Sequence, residues 1–219
     1  KEYTAQDTLH HWERYQCCRL SLEGLQWIQI SDWRTTNEVI EKPPPGTPVY
    51  CAIDFSKSFD ITSMAYGYWL NGKINVKWHH WVVKDQHVKS VKRDYQRFVD
   101  NWGCHDNVTI CAHTIQYDSV KAKLEELKGW GDLRRIGFDA FGGMATEIQQ
   151  WGNLEDSYNP DTDLPMWPLP QTIMSMGPST YLLESLIRHK SIAMEQDDIV
   201  EYALANVQLE KNINGDRRP

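Results

Sequence analysis

The chain has 219 residues, five cysteines and a formal net charge of -7, a length that holds one sizeable domain, or one domain with an appendage, around a real core. No apolar run approaches the length that crosses a bilayer, no charged segment leads into a hydrophobic one as in a signal peptide, and the odd cysteine count lacks a CxxC pair, so a cytosolic protein with reduced thiols is expected. The negative charge excludes tight, passive, sequence-independent DNA binding by the chain alone, because phosphate contacts need Lys and Arg.

Residues 1–46 read as a lead-in rather than a domain. Trp12, Tyr15, Leu20, Leu25, Trp27, Ile28, Ile30 and Trp33 supply apolar surface without sustained helical or strand periodicity, as in a segment draped over something else. Pro43, Pro44, Pro45 and Gly46 then form a stiff linker that ends where the first strand begins. The chain opens on Lys1 rather than Met, and further sequence upstream is expected.

The domain proper is expected over 47–219. Val49, Cys51 and Ile53 sit two apart, as a buried strand requires, and deliver Asp54 at the strand's exit. A carboxylate held there is rigid yet accessible, which suits an oxygen ligand for a hard divalent metal; an aspartate that caps a turn explains it as well. Asp60 to Leu70 is rich in aromatic and β-branched residues, Asn71-Gly72 is a two-residue hairpin signal, and Lys73 to Val83 resumes as a strand, giving an antiparallel meander. Helices and strands then alternate: a helix over Val91 to Trp102, a strand over Val108 to Ala112, a helix over Tyr117 to Leu127, and a buried strand over Leu133 to Phe138 that delivers Asp139. Gly142 and Gly143 lead into a helix through Met144, Ile148 and Trp151.

Residues 153–167, rich in Asn, Asp and Pro, predict a flexible surface loop, with a lid over the active face as the functional alternative. Ser179 is expected to cap a helix that packs Leu182, Leu183, Leu186 and Ile187 inward, and a further helix is expected over Gln196 to Asn206. Asn214-Gly215 marks a turn. Antiparallel strands followed by strands alternating with helices, with acids ending the first strand and a later parallel one, describe an α/β fold of the RNase H type, a mixed sheet flanked by helices. Enzymes of that type gather carboxylates around two Mg²⁺ or Mn²⁺ ions that straddle a phosphodiester.

Other groupings weigh less. Cys104, His105, Cys111 and His113 match no standard zinc spacing, and Cys111 falls in a core strand. His79, His80 and His87 could orient water or touch phosphate, though an exposed strand and loop explain them equally. Lys84, Lys89, Lys92, Arg93 and Arg97, with Arg134 and Arg135, offer DNA contacts or a solvated face. Trp69, Trp78 and Trp81 are expected to cover the sheet.

In their order, WIQISDW, IDFSKSFDIT, DYQRFVDNW, YDSVKAKLEEL, IGFDAF and MSMGPSTYLLESLIRHKSI followed by VEYALANVQLEKNINGDRRP make a pattern that resembles the nuclease domain of a tailed-bacteriophage terminase large subunit of the HK97 group. The resemblance covers nearly the whole chain. It implies a metal-dependent endonuclease that cuts concatemeric double-stranded viral DNA at the start and end of packaging in the host cytoplasm, with Asp54 and Asp139 as metal ligands. Asp60 matches the second acid of the first motif, holding water or a metal indirectly. Implied partners are double-stranded DNA, the portal protein, the small terminase subunit and neighbouring large subunits. No GxxxxGK[ST] phosphate loop occurs, so the packaging ATPase of such proteins is not within this chain. The family's third acid lies beyond the segment matching NINGDRRP; within this chain Asp197, Asp198 and Asp216 are the candidates, the first two more simply explained as caps of the helix they begin. Two alternatives stand beside the nuclease: a docking module for portal or small terminase, and another RNase H-like enzyme such as a resolvase or transposase.

Overall fold

The structure, a computed structural model, describes residues 27–56, 61–84, 100–139, 148, 151–152 and 163–207, and the backbone of 210–211 and 217–218. A seven-stranded mixed sheet forms its centre, in the order β4-β3-β2-β1-β5-β6, with β7 alongside β3. Strands β1 (Pro48–Asp54), β2 (Thr62–Leu70) and β3 (Lys73–Val83) make the expected antiparallel meander, while β4 (Val108–Cys111), β5 (Asp132–Phe138) and β6 (Met166–Pro168) join in parallel. The sheet is thus antiparallel and then parallel, and helices flank it, the mixed α/β architecture expected from the sequence.

Local chemistry sets these elements. Burial in β1 alternates strictly, with Val49, Cys51 and Ile53 inside and Tyr50, Ala52 and Asp54 outside, as a strand with one core face must. Asn71 and Gly72 both adopt positive φ, 52° and 76°, the conformation that closes a two-residue hairpin without splaying its strands. Helix α2 (Tyr117–Lys128) buries Val120, Leu124 and Leu127 on one face, where they join Ile53, Met64, Trp81, Phe138 and Met166 in the main core.

The described part of the lead-in, residues 27–46, packs against this sheet. Helix α1 (Ile30–Arg34) buries Trp33, which packs with Ile28, Ile187, Met194 and Leu204 in a second core cluster. Ile40 is buried beside Val49 and Tyr68.

Several expectations need correction. Strand β6 takes in Met166 and Trp167, expected as the end of a flexible surface loop, together with Pro168, and Leu164, Pro165 and Met166 are buried beside β5; the prolines mask a strand three residues long, confined to the sheet edge where a missing N–H is tolerated. Helix α3 (Ile173–Arg188) begins well before Ser179, because Thr172 accepts a hydrogen bond from the Ser175 N–H (3.2 Å) and Pro178 lies within the helix. Leu182 is 56% exposed and Trp69 59% exposed, so neither covers the core. His79 and His80 are buried, not exposed. Strand β7 (Ile192–Met194), absent from the sequence expectations, lies wholly inside, and α4 (Asp198–Asn206) falls within the last predicted helix.

The described end of the helix expected over 91–102, residues 100–102, is helical. Most of that helix, most of the segment from Gly142 to Trp151 and residues 153–162 lie outside the described residues. An antiparallel pair, β8 (Glu210–Lys211) and β9 (Arg217–Arg218), flanks Asn214-Gly215. No described helix is long and apolar enough to cross a membrane.

Candidate active site

Strands β1 and β5 run parallel with Ile53 opposite Phe138, and Asp54 and Asp139 are the next residues on the two chains. Neighbouring strands stand about 5 Å apart, so the register sets two carboxylates side by side at the carboxyl edge of the central pair. Both line a cleft of about 440 Å³ on one sheet face, floored by the small residues Ala52, Ala65 and Gly137 and walled by α4. Asp54 is exposed and Asp139 half-buried.

Each carboxylate is held by its surroundings. After Asp54 the chain is tied back to β2 by the Ser56 N–H donating to Thr62 Oγ1 (3.0 Å), and the Tyr117 hydroxyl donates to the Ser56 carbonyl (3.3 Å). The Phe55 ring packs between Tyr117 and Trp151, each about 6.0 Å away. Beside Asp139, the Leu169 N–H donates to the Phe138 carbonyl (2.7 Å), and the Leu169 side chain fills the place where a Cβ on Gly137 would stand.

The top row of the cleft continues across the meander. Ser63 is opposite Asp54 and His80 is opposite Ser63. Ser63 Oγ lies 2.9 Å from His80 Nδ1, and His80 Nε2 lies 3.1 Å from Asp197 Oδ2. Asp197 also caps α4, accepting from the Val200 N–H at 2.8 Å, and accepts from the Asn107 side chain. Burial alone would raise the Asp197 carboxyl, but the hydrogen bonds from His80, Val200 and Asn107 outweigh it and hold the group below its ordinary value.

The remaining candidates scatter around this row. Asp197 is committed to the α4 cap and to His80, as the capping alternative expected. Asp198 is exposed, 3.9 Å from His105 Nε2. Lys84 is exposed, 3.5 Å from Asp100. Asp60, Lys92, Arg93, Arg97 and Asp216 lie outside the described residues. Arg135, four residues before Asp139 and therefore on the same strand face, stacks over the Trp167 ring at 4.6 Å, an exposed cationic and aromatic step beside the cleft. Cys111 is buried in the core, as its strand position required.

Among the described residues no group of three or more His, Cys, Asp or Glu side chains could hold a metal ion. The aspartate pair alone still fits one. Mg²⁺ keeps several waters and is bound through one or two carboxylates together with substrate phosphates, and two carboxylates side by side repel each other unless a cation is between them.

Sequence reasoning left Ser63 and Asn107 unremarked, and offered His80 only as a residue that could orient water or touch phosphate. The signal was available for one contact: a two-residue turn pairs residues equidistant from it, which puts Ser63 opposite His80.

No protein-family model and no curated protein matches this sequence. Solved structures do. The chain is similar to the large terminase of bacteriophage HK97, with 21% identity and a TM-score of 0.69 over 88% of this chain and 39% of that one. It is also similar to the large terminase nuclease of thermophilic phage G20c, with 15% identity and a TM-score of 0.51 over 82% of this chain and 75% of that one. The chain therefore has the RNase H-like fold of phage large-terminase nuclease domains, and it spans 39% of the HK97 protein's length.

Proposed function

We propose that this chain is the nuclease part of a tailed-phage large terminase, a metal-dependent endonuclease that cuts concatemeric double-stranded viral DNA at the start and end of genome packaging. The observation that carries this is the in-step exit of β1 and β5 into Asp54 and Asp139 at an open cleft, on a fold shared with phage terminase nucleases.

Asp54 and Asp139 would hold Mg²⁺ or Mn²⁺, which supplies activation of water and stabilisation of the leaving 3'-oxygen. The chain's own residues do the rest. The small floor of Ala52, Ala65 and Gly137 leaves room for a backbone to approach the two carboxylates. Arg135 on Trp167 offers a fixed cation on the same face for a phosphate, and Lys84, Lys92, Arg93 and Arg97 add charge in the sequence after β3. A net charge of -7 is compatible with DNA as substrate when bound cations offset the acidic row. Asp60 would hold water or a metal indirectly, and Asp198 and Asp216 are candidates for a third carboxylate, Asp197 being taken up by the α4 cap and His80. Working partners would be the portal protein, the small terminase subunit and neighbouring large subunits, in the host cytoplasm.

A docking role has one observation of its own: Met174, Tyr181 and Leu182 are exposed by 86%, 42% and 56% on α3. Plasmid cleavage separates the two. Cutting that requires Mn²⁺ or Mg²⁺, stops with EDTA and is lost in folded Asp54→Ala and Asp139→Ala supports the nuclease. No cutting by a folded wild-type chain, alone or extended beyond Pro219, favours docking, and strict preference for branched DNA favours a resolvase.

A further inference from the structure

The cleft holds a buried polar chain that metal binding by Asp54 and Asp139 does not use. It starts at α4, where Asp197, 3% exposed, accepts from the Val200 N–H and from Asn107, and it continues through His80, 1% exposed, to the half-buried Ser63. Its assembly follows from the topology. Strands β7 and β4 both pair in parallel with β3, the first ending at Met194 opposite Val76 and the second starting at Val108 opposite His80. The chain leaving β7 and the chain entering β4 therefore meet beside His80, which brings Asp197 and Asn107 together there, and the His80 N–H donates to the Asn107 carbonyl at 2.8 Å.

For a neutral His80 ring, hydrogen-bond direction along this chain follows from its partners. Asp197 Oδ1 accepts from the Val200 N–H and Oδ2 from the Asn107 amide, so both oxygens act as acceptors and the proton on His80 Nε2 faces Oδ2. That leaves Nδ1 as an acceptor, and the Ser63 hydroxyl donates to it at 2.9 Å. The lone pairs of Ser63 Oγ are then left for the cleft, directly across the β1–β2 ladder from Asp54.

We propose that Ser63 is a positioning residue, oriented by His80 and Asp197, that accepts a hydrogen bond from water on a divalent metal held at Asp54. The role rests on the assignment of Asp54 and Asp139 as metal ligands. It gives the buried pair a function besides capping α4, since Asp197 fixes the ring, the ring fixes the hydroxyl, and the hydroxyl fixes the water. Partners of this kind typically change metal affinity or activity by about 10- to 100-fold when removed.

Two measurements on the full chain test it. Nitrogen NMR of the metal-free protein should find the His80 proton on Nε2, with Nδ1 unprotonated. Calorimetric titration with Mn²⁺ alone should find affinity about 10-fold weaker in Ser63→Ala and restored in Ser63→Thr, which keeps the hydroxyl. A proton on Nδ1, or Mn²⁺ affinity unchanged in Ser63→Ala while wild type binds and Asp54→Ala does not, overturns this role and leaves the metal assignment standing. Wild type that binds no Mn²⁺ overturns both.

Discussion

Asp54 and Asp139 leave two neighbouring parallel strands in step, each one residue beyond the facing pair Ile53 and Phe138. A cation bound between them is held by the folded state only, because the unfolded chain separates the two aspartates by dozens of residues. Ligand binding to the native state alone stabilises by about 2.7 kcal/mol at a hundredfold excess over the dissociation constant. Added Mn²⁺ should therefore raise the thermal midpoint of wild type by several degrees and leave Asp54→Asn and Asp139→Asn unmoved. Equal shifts in all three proteins would remove the pair from the metal site.

Gly67 faces Val76 in the β2–β3 ladder, and a Cβ there would stand 2.3 Å from the Asn75 carbonyl oxygen. Backbone cannot rotate aside, so Gly67→Ala should force the two strands apart and cost about 1–3 kcal/mol or more. Gly137 is the control. Its added Cβ would meet Leu169 Cδ1, also at 2.3 Å, but Leu169 is 38% exposed and its side chain can swing away. Urea unfolding should rank Gly67→Ala well below Gly137→Ala in stability, and the reverse order would mean that the ladder yields more easily than the Leu169 side chain.

Asp197 carries two loads, the α4 cap and the buried His80 ring. Losing a cap costs about 0.5–2 kcal/mol, and leaving a buried polar group without its partner costs about 1–3 kcal/mol more. Asp197→Ala should therefore lose roughly 2–4 kcal/mol in denaturant unfolding, and Asp197→Asn, which retains a capping oxygen, distinctly less. Equal losses would mean that the cap contributes little and the charge on Asp197 nearly everything.

The parts of the fold carried by periodicity were legible in the sequence. The alternation through Val49, Cys51 and Ile53, the Asn71-Gly72 turn and the spacing of Val120, Leu124 and Leu127 each specify one element by a local rule. Asp54 and Asp139 were legible as strand ends for the same reason. The hidden parts depend on contacts between distant segments. Strand β7 is three residues long, too short for a period to register, and it forms because β3 offers a free edge beside Ile74 to Val76. The Ser63, His80 and Asp197 chain needs two registers and a crossover at once, so no local pattern contains it. In α3 the helix is capped at Thr172 and runs through Pro178, a residue that by local rules ends a helix rather than continues one.

His79 provides a pH dependence with a definite sign. It is 9% exposed, its Nε2 lies 2.9 Å from Thr109 Oγ1, and its ring packs edge-on against Trp81 with centroids 4.6 Å apart. Burial, then the nearby Lys123 and His80, push it down to about 4 from an ordinary value of 6.5. The unfolded chain thus binds a proton that the folded protein refuses between those two values, so stability is present above about pH 6.5 and is lost as pH falls toward 4. The full effect is roughly 3 kcal/mol, at about 1.4 kcal/mol for each unit of separation. Resistance of wild type to urea should weaken from about pH 7 to about pH 4.5, and His79→Gln, which keeps a polar group near Thr109 but cannot take up a proton in this range, should lose most of that slope. If His79→Gln weakened in parallel with wild type, the acid sensitivity would have to come from other groups, and His79 would not be the residue that resists protonation in the fold.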